Sequence, residues 1–176
     1  MSKKKVVLDR KNSHIQICLD DELGGDSKIE FYDPKKSGFE QYVFDHDALP
    51  EIDKSKIDLT VTILGKRLSA PLIIGAMTGG TERAQKLNAV LAKAAEIEQV
   101  GLALGSQRKM LEDRSTLESY NVKKKAPKIP LLAGNIGAVQ LNYGVKSKDL
   151  HWLTSAIGCD FLNLHLNPLQ EAVQPE

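Results

Sequence analysis

The segment His165-Leu-Asn167-Pro-Leu-Gln170-Glu171 sets an imidazole, two carboxamides and a carboxylate close together, directly after the apolar run Phe161-Leu-Asn-Leu164. Such a set can orient a substrate, move a proton at the imidazole and offer an oxygen ligand to a metal. Glu171 suits magnesium, which takes a carboxylate together with ligand phosphates and waters. A buried structural histidine is the alternative, but a core strand end does not need so many polar neighbours. Ser106-Gln107-Arg108 supplies a hydroxyl, an amide and a permanent positive charge, and Arg108 could grip a phosphate in bidentate fashion or sit in a surface salt bridge. Arg10, Lys11 and His14 concentrate positive charge in a polar leader and could close over a diphosphate. Lys3–Lys5 and Lys123–Lys125 read as solvated charge. Met77-Thr78-Gly79-Gly80 and Gly134-Asn135 would let backbone approach a flat or phosphorylated ligand just ahead of a helix, or would simply make tight turns.

These residues need elements to hold them. Residues 1–56 read as a polar arm with a substrate-closing segment, and 57–70 as a hairpin that breaks at Gly65-Lys66. From there compact apolar runs alternate with helical stretches: Pro71–Gly75 then Glu82–Gln99, Gly101–Leu104 then Leu111–Val122, Pro130–Ala133 then Lys148–Ile157, and finally Phe161–His165. The runs start about 30 residues apart, close to the repeat of an eight-fold β/α barrel, although a doubly wound sheet could use similar units. Each run ends in one of the small or polar clusters described above. In a parallel barrel those clusters would share one rim, where catalytic groups gather. The expected fold is therefore α/β, of the TIM (β/α)8-barrel family, with its first four βα units in 71–176.

Composition limits the function classes. The chain has 176 residues, 41% hydrophobic and 27% charged, with 24 basic and 23 acidic side chains. A formal charge of +1 gives no overall field for nucleic acid or an anionic membrane, so any anion site must be local. There is no signal-like apolar run and no stretch of membrane-spanning length, so a cytoplasmic location is expected. Cys18 and Cys159 are too few for a disulfide framework and lack metal-ligand spacing; Cys159 reads as a core residue.

Taken together, these motifs resemble the type 2 isopentenyl diphosphate isomerases, flavin-dependent barrel enzymes of isoprenoid biosynthesis. The resemblance runs through Arg10-Lys11 with His14, Phe44-Asp-His-Asp-Ala-Leu-Pro-Glu51, Ala76–Gly80, Gly105–Arg108, the Asn135 loop and His165–Glu171 into Gln174-Pro-Glu176. It implies conversion of isopentenyl to dimethylallyl diphosphate with reduced FMN, Mg2+ and NADPH as reductant. Ala76, Met77, Thr78, Ser106 and Asn135 would then lie against FMN. Arg10, Lys11, His14, Ser106, Arg108, Asn167 and Gln170 would surround the substrate, Gln170 and His165 would serve catalysis, and Glu171 would hold the metal. A neutral amide is a poor acid near pH 7, so Gln170 is expected to orient the alkene or a proton relay while the flavin does acid/base work.

The chain stops at Glu176 inside a stretch that the family continues, and four of eight expected strands are accounted for. The expectation is thus an N-terminal half with the C-terminal half absent, which would form a homo-oligomer or depend on the missing half. The alternative is a non-catalytic, self-associating half-barrel. A relative of the α-hydroxy-acid oxidases is disfavoured, because that chemistry needs a base beside a carboxylate clamp and not a magnesium–diphosphate site.

Overall fold

The computed structural model describes residues 13, 15 and 38–167. The chain divides into two compact units, with the boundary between Asp58 and Leu59. In the first, Ser13 and Ile15 are helical, and residues 38–58 are mostly extended with two 3-10 turns, Phe39–Gln41 and Lys54–Lys56. Asp53 caps the second turn by accepting the Ser55 N–H at 3.0 Å.

The second unit opens with a hairpin of β1 (Val61–Ile63) and β2 (Lys66–Leu68), paired antiparallel. Its two-residue turn, Leu64-Gly65, has positive φ at both positions, the twist that suits a tight hairpin. Then come β3 (Ile73–Ile74), α1 (Glu82–Glu98), β4 (Gly101–Ala103), α2 (Arg108–Glu112), β5 (Leu131–Gly137), α3 (Ser147–Ile157) and β6 (Phe161–His165). Strands β3 to β6 pair in parallel in chain order.

Local chemistry sets these limits. Thr81 caps α1 by accepting the Ala84 N–H at 3.0 Å, and the helix ends at Gln99 in the left-handed conformation. Its buried face is Ala84, Asn88, Ala92 and Ala95, small side chains that let it lie close to the sheet. Asp149 on α3 accepts the Lys146 N–H at 2.9 Å, and Gly158 ends that helix with positive φ. Leu102, Leu104, Leu132 and Ile136 meet Ala92, Ala95, Leu153 and Ile157 to form the core, with half-buried Cys159 and Leu162 packed against it. Burial pushes the Cys159 thiol up, which keeps it protonated.

This is not part of an eight-stranded barrel, and that expectation is overturned. The described residues form one open, four-stranded parallel sheet. Only two of β3 and three of β4 are paired residues, far short of a long, staggered, closing sheet. The repeat of about 30 residues is one of length and not of structure. Between β4 and β5 the expected helix over 111–122 gives way to the short α2 and two 3-10 turns, Arg114–Ser119 and Val122–Lys124. The cause is local: Asp113 accepts from Ser115 N at 3.0 Å and Ser115 Oγ at 2.6 Å, a side-chain turn that competes with the helix, and Pro127 and Pro130 prevent its resumption. Nor is the lysine run wholly solvated, because Lys123 Nζ donates to Gly158 O at the end of α3.

Asp160 ties the hairpin to the sheet. Its carboxylate accepts the Leu132 N–H at 2.8 Å and lies 3.1 Å from Lys66 Nζ. Burial works to raise the carboxyl pKa, but the Leu132 N–H and the Lys66 ammonium outweigh it and hold the group below its ordinary value of 3.8. The stability it contributes is therefore present above that value and is lost as pH falls through the depressed one. Urea unfolding at pH 7 and pH 3 is expected to show a smaller acid loss in Asp160→Asn than in the parent chain, with the variant already less stable at pH 7.

Candidate functional site

Parallel pairing puts the carboxyl ends of all four strands at one end of the sheet. There the polar clusters link one to the next. Gly105, just past β4, lies directly against the Thr78 backbone: a Cβ on it would sit 2.6 Å from Thr78 N. Asn88 reaches from α1 to donate to Thr78 O and Ser119 O, each at 3.1 Å. Ser119 Oγ accepts the Gly80 N–H at 2.7 Å. Tyr120 donates its hydroxyl to Ser106 O at 2.8 Å, and its ring fills the space that a side chain on Gly79 would need. Burial pushes the Tyr120 phenol far up and the Glu112 carboxylate adds to this, so it remains a donor. Gly79 and Gly105 therefore serve packing between strand ends; for Gly79 the sequence allowed approach of a ligand or a tight turn.

The next link is Gln107, wholly buried. Its backbone N–H donates to Asn135 O at 2.7 Å and its Oε1 accepts the Asn135 N–H at 2.9 Å. Asn135, on β5, then meets His165 on β6, with Oδ1 and Nδ1 2.7 Å apart. An amide oxygen only accepts, so Nδ1 is the donor in this pair. The histidine is thus half-buried and oriented, neither a core residue nor a loosely solvated one.

One atom in this region stands out. Thr78 is 5% exposed, and its Oγ1 is the one buried side-chain N or O atom without a hydrogen-bond partner among the described residues. An unpaired buried hydroxyl costs about 1–3 kcal/mol unless something satisfies it. Ala76 and Met77 beside it are exposed, Met77 at 50%. An exposed thioether and an orphaned hydroxyl next to two strand ends fit one face of a flat, polar-edged ring such as a flavin.

The other expected site residues divide. Ser106 is half-buried, with its Oγ 3.5 Å from Arg108 N. Arg108 Nε pairs with Glu112 Oε1 at 3.2 Å, the surface salt bridge that its spacing allowed. Asn167 is exposed beyond β6. Arg10, Lys11, His14, Gln170 and Glu171 lie outside the described residues. Among the described residues no three His, Cys, Asp or Glu side chains gather to hold a metal, so the magnesium expectation rests on Glu171. Among those residues, too, no helix is long and apolar enough to cross a membrane.

Sequence reasoning missed Asn88, Ser119 and Tyr120. Asn88 carried a signal, a lone amide in the Ala84/Ala92/Ala95 stripe of α1; the other two carried none.

No protein-family model matches the chain. It is similar to curated proteins named isopentenyl-diphosphate delta-isomerase. That of Rickettsia rickettsii (strain Sheila Smith) is 47% identical over 169 residues, which is 96% of this chain and 47% of the relative. Those of Rickettsia bellii (strain RML369-C) and Rickettsia prowazekii (strain Madrid E) are 48% and 47% identical over the same length and shares. The chain spans about half the length of the curated relatives it matches.

Proposed function

We propose that this chain serves the interconversion of isopentenyl and dimethylallyl diphosphate, by the type 2 route that uses reduced FMN, with NADPH as the reductant and magnesium on the diphosphate. The observation that carries the reading is the 47% identity, sustained over 96% of the chain, to proteins named for that isomerisation. The orphaned Thr78 hydroxyl beside Met77 supports the type 2 form, since it suits the polar edge of a flat ring.

The reaction moves a double bond by adding a proton at the terminal alkene carbon and removing one from the carbon nearer the diphosphate, so no electrons are consumed. Reduced FMN, when bound, supplies an electron-rich ring whose nitrogens exchange protons. The protein's part is positioning. Asn135 fixes the direction of the His165 imidazole, which would then meet a diphosphate or water in a defined place. Arg108 would exchange the half-exposed Glu112 carboxylate for phosphate oxygens, a trade that costs little because surface pairs contribute at most about 1 kcal/mol. Arg10, Lys11, His14, Asn167 and Gln170 would complete the substrate's surroundings, and Glu171 would hold the metal.

The test is turnover of isopentenyl diphosphate, followed by proton NMR under reducing conditions with FMN and magnesium. It is run on the chain alone and on the chain mixed with the portion of the Rickettsia rickettsii relative outside the match. Turnover in either form supports the reading; none in both, with flavin added in excess, sinks it. Thr78→Val gives a sharper check of the flavin contact. Removing an unsatisfied hydroxyl while keeping the shape is expected to stabilise the ligand-free chain by about 1 kcal/mol and to weaken FMN binding about tenfold. A variant both less stable and unchanged in flavin affinity would place the hydroxyl's role elsewhere.

The sheet edges favour a second reading, a non-catalytic protein that self-associates. Leu72, 61% exposed, adjoins edge strand β3, and Leu166, 85% exposed, follows edge strand β6. Size-exclusion mass beside the turnover assay distinguishes the two: a colourless, inactive dimer supports this one.

A further inference from the structure

We propose that Gln107 is a positioning residue, its buried carboxamide seated against the bare Cα of Gly134 and locking Asn135 in the place from which Asn135 orients His165. Three observations converge on it. Gln107 is a neutral polar side chain with no exposure, yet its carboxamide is used in full: Oε1 takes the Asn135 N–H, and Nε2 donates to Leu153 O at 3.3 Å on α3 and lies 3.5 Å from Met110 Sδ. Its backbone N–H takes the Asn135 carbonyl as well, so both main-chain polar groups of one residue on β5 are held by one residue at the end of β4. Finally, a Cβ at Gly134 would stand 2.5 Å from Gln107 Oε1, and Gly134 has no positive φ to call for glycine. The amide is the nearest of three neighbours that close this space, ahead of Leu162 Cδ1 at 2.9 Å and Cys159 Sγ at 3.0 Å, and glycine in the strand leaves room for it.

The consequence reaches His165 through one residue. Asn135 Oδ1 can hold the Nδ1–H only while the β5 backbone keeps its rotation about that position, and the paired Gln107 contacts fix that rotation from both sides. The Gln107 side chain reaches Asn135, Leu153 and Met110, so its effect on the imidazole runs through Asn135 and is on direction and not on chemistry.

The imidazole nitrogen signals of His165, assigned by their loss in His165→Ala, test this in the full chain. Gln107→Met conserves volume but has no acceptor; Gln107→Glu keeps the acceptor for the Asn135 N–H. Gln107→Met is expected to lose the single Nδ1–H signature and to show mixed tautomers, while Gln107→Glu retains it. Gly134→Ala, whose Cβ would press first on the Gln107 amide and next on Leu162 and Cys159, is expected to behave like Gln107→Met, and serves if that variant does not fold; Cys159→Ala in the same background relieves the contact with Cys159 and should leave the His165 signals disturbed. Identical His165 signals in parent, Gln107→Met and Gly134→Ala would overturn the proposal, as would equal disturbance in Gln107→Met and Gln107→Glu. Its kinetic side rests on the isomerase reading: Gln107→Met should lower kcat about tenfold with KM unchanged, and Gln107→Glu should restore most of it. Absence of turnover in the parent chain would defeat that reading while the NMR result still judges Gln107.

Discussion

Gly105→Ala is expected to lower stability by about 3 kcal/mol, the upper end for one inserted methyl group in a packed interior. The added Cβ would meet Thr78 N at 2.6 Å and Thr78 C and O at 2.7 Å. Flexible side-chain ends can swing away from such a contact; a backbone cannot. The Thr78 segment is also held from its other side, because Asn88 grips Thr78 O and Ser119 grips the Gly80 N–H. Relief would require the end of β4 to shift from the Thr78 segment, but the Gln107–Asn135 contacts fix that end against β5. For a chain of this size the change corresponds to a fall in Tm of about 6–12 °C. Calorimetry of the variant beside Gly75→Ala, where no atom lies within 4 Å of the new Cβ and the backbone has no positive φ, separates this backbone clash from a general cost of replacing glycine. Equal losses in the two variants would show that Thr78 and Gly105 are not in close contact.

The strand and helix positions were largely legible because burial and period are local. The apolar run at Phe161–His165 is β6 itself, and the Glu82–Gln99 stretch is α1 to within one residue. The hairpin was visible in its Gly65 turn. What the spacing could not convey is closure. A repeat of about 30 residues fits open and closed parallel sheets alike, and only pairing geometry separates them. The failed helix over 111–122 has a finer cause, since its composition is adequate and one carboxylate, Asp113, captures the Ser115 N–H and redirects the chain. At the site, the strand-end positions of Asn135 and His165 were legible, and their side chains meet at 2.7 Å. Residue types could not reveal that Arg108 is paired with Glu112, because a guanidinium with a glutamate four residues on is consistent with either fate. The glycines misled for a similar reason: a missing side chain records a close approach without naming what approaches.

Under the isomerase reading, His165→Ala is expected to cut kcat/KM about a hundredfold, within the range for loss of a positioned proton-handling group. Asn135→Ala should cost about twentyfold, because it keeps the imidazole but removes the Oδ1 that directs Nδ1, and loss of orientation alone reaches that order. The informative result is the combination. Nδ1 of His165 and Oδ1 of Asn135 lie 2.7 Å apart, so the asparagine acts on the reaction through the ring it holds. Once the ring is gone the amide has nothing to orient, and His165→Ala with Asn135→Ala should be about as slow as His165→Ala alone instead of two thousandfold down. An amide suits this task because it sets the ring's direction without placing a negative charge beside it, where a substrate diphosphate must also come. Multiplicative losses would mean that Asn135 meets substrate or cofactor on its own account, with the hydrogen bond to His165 incidental. The flavin absorbance of each variant decides which: Asn135→Ala with normal FMN binding and no further loss in the double variant leaves orientation of His165 as the asparagine's role.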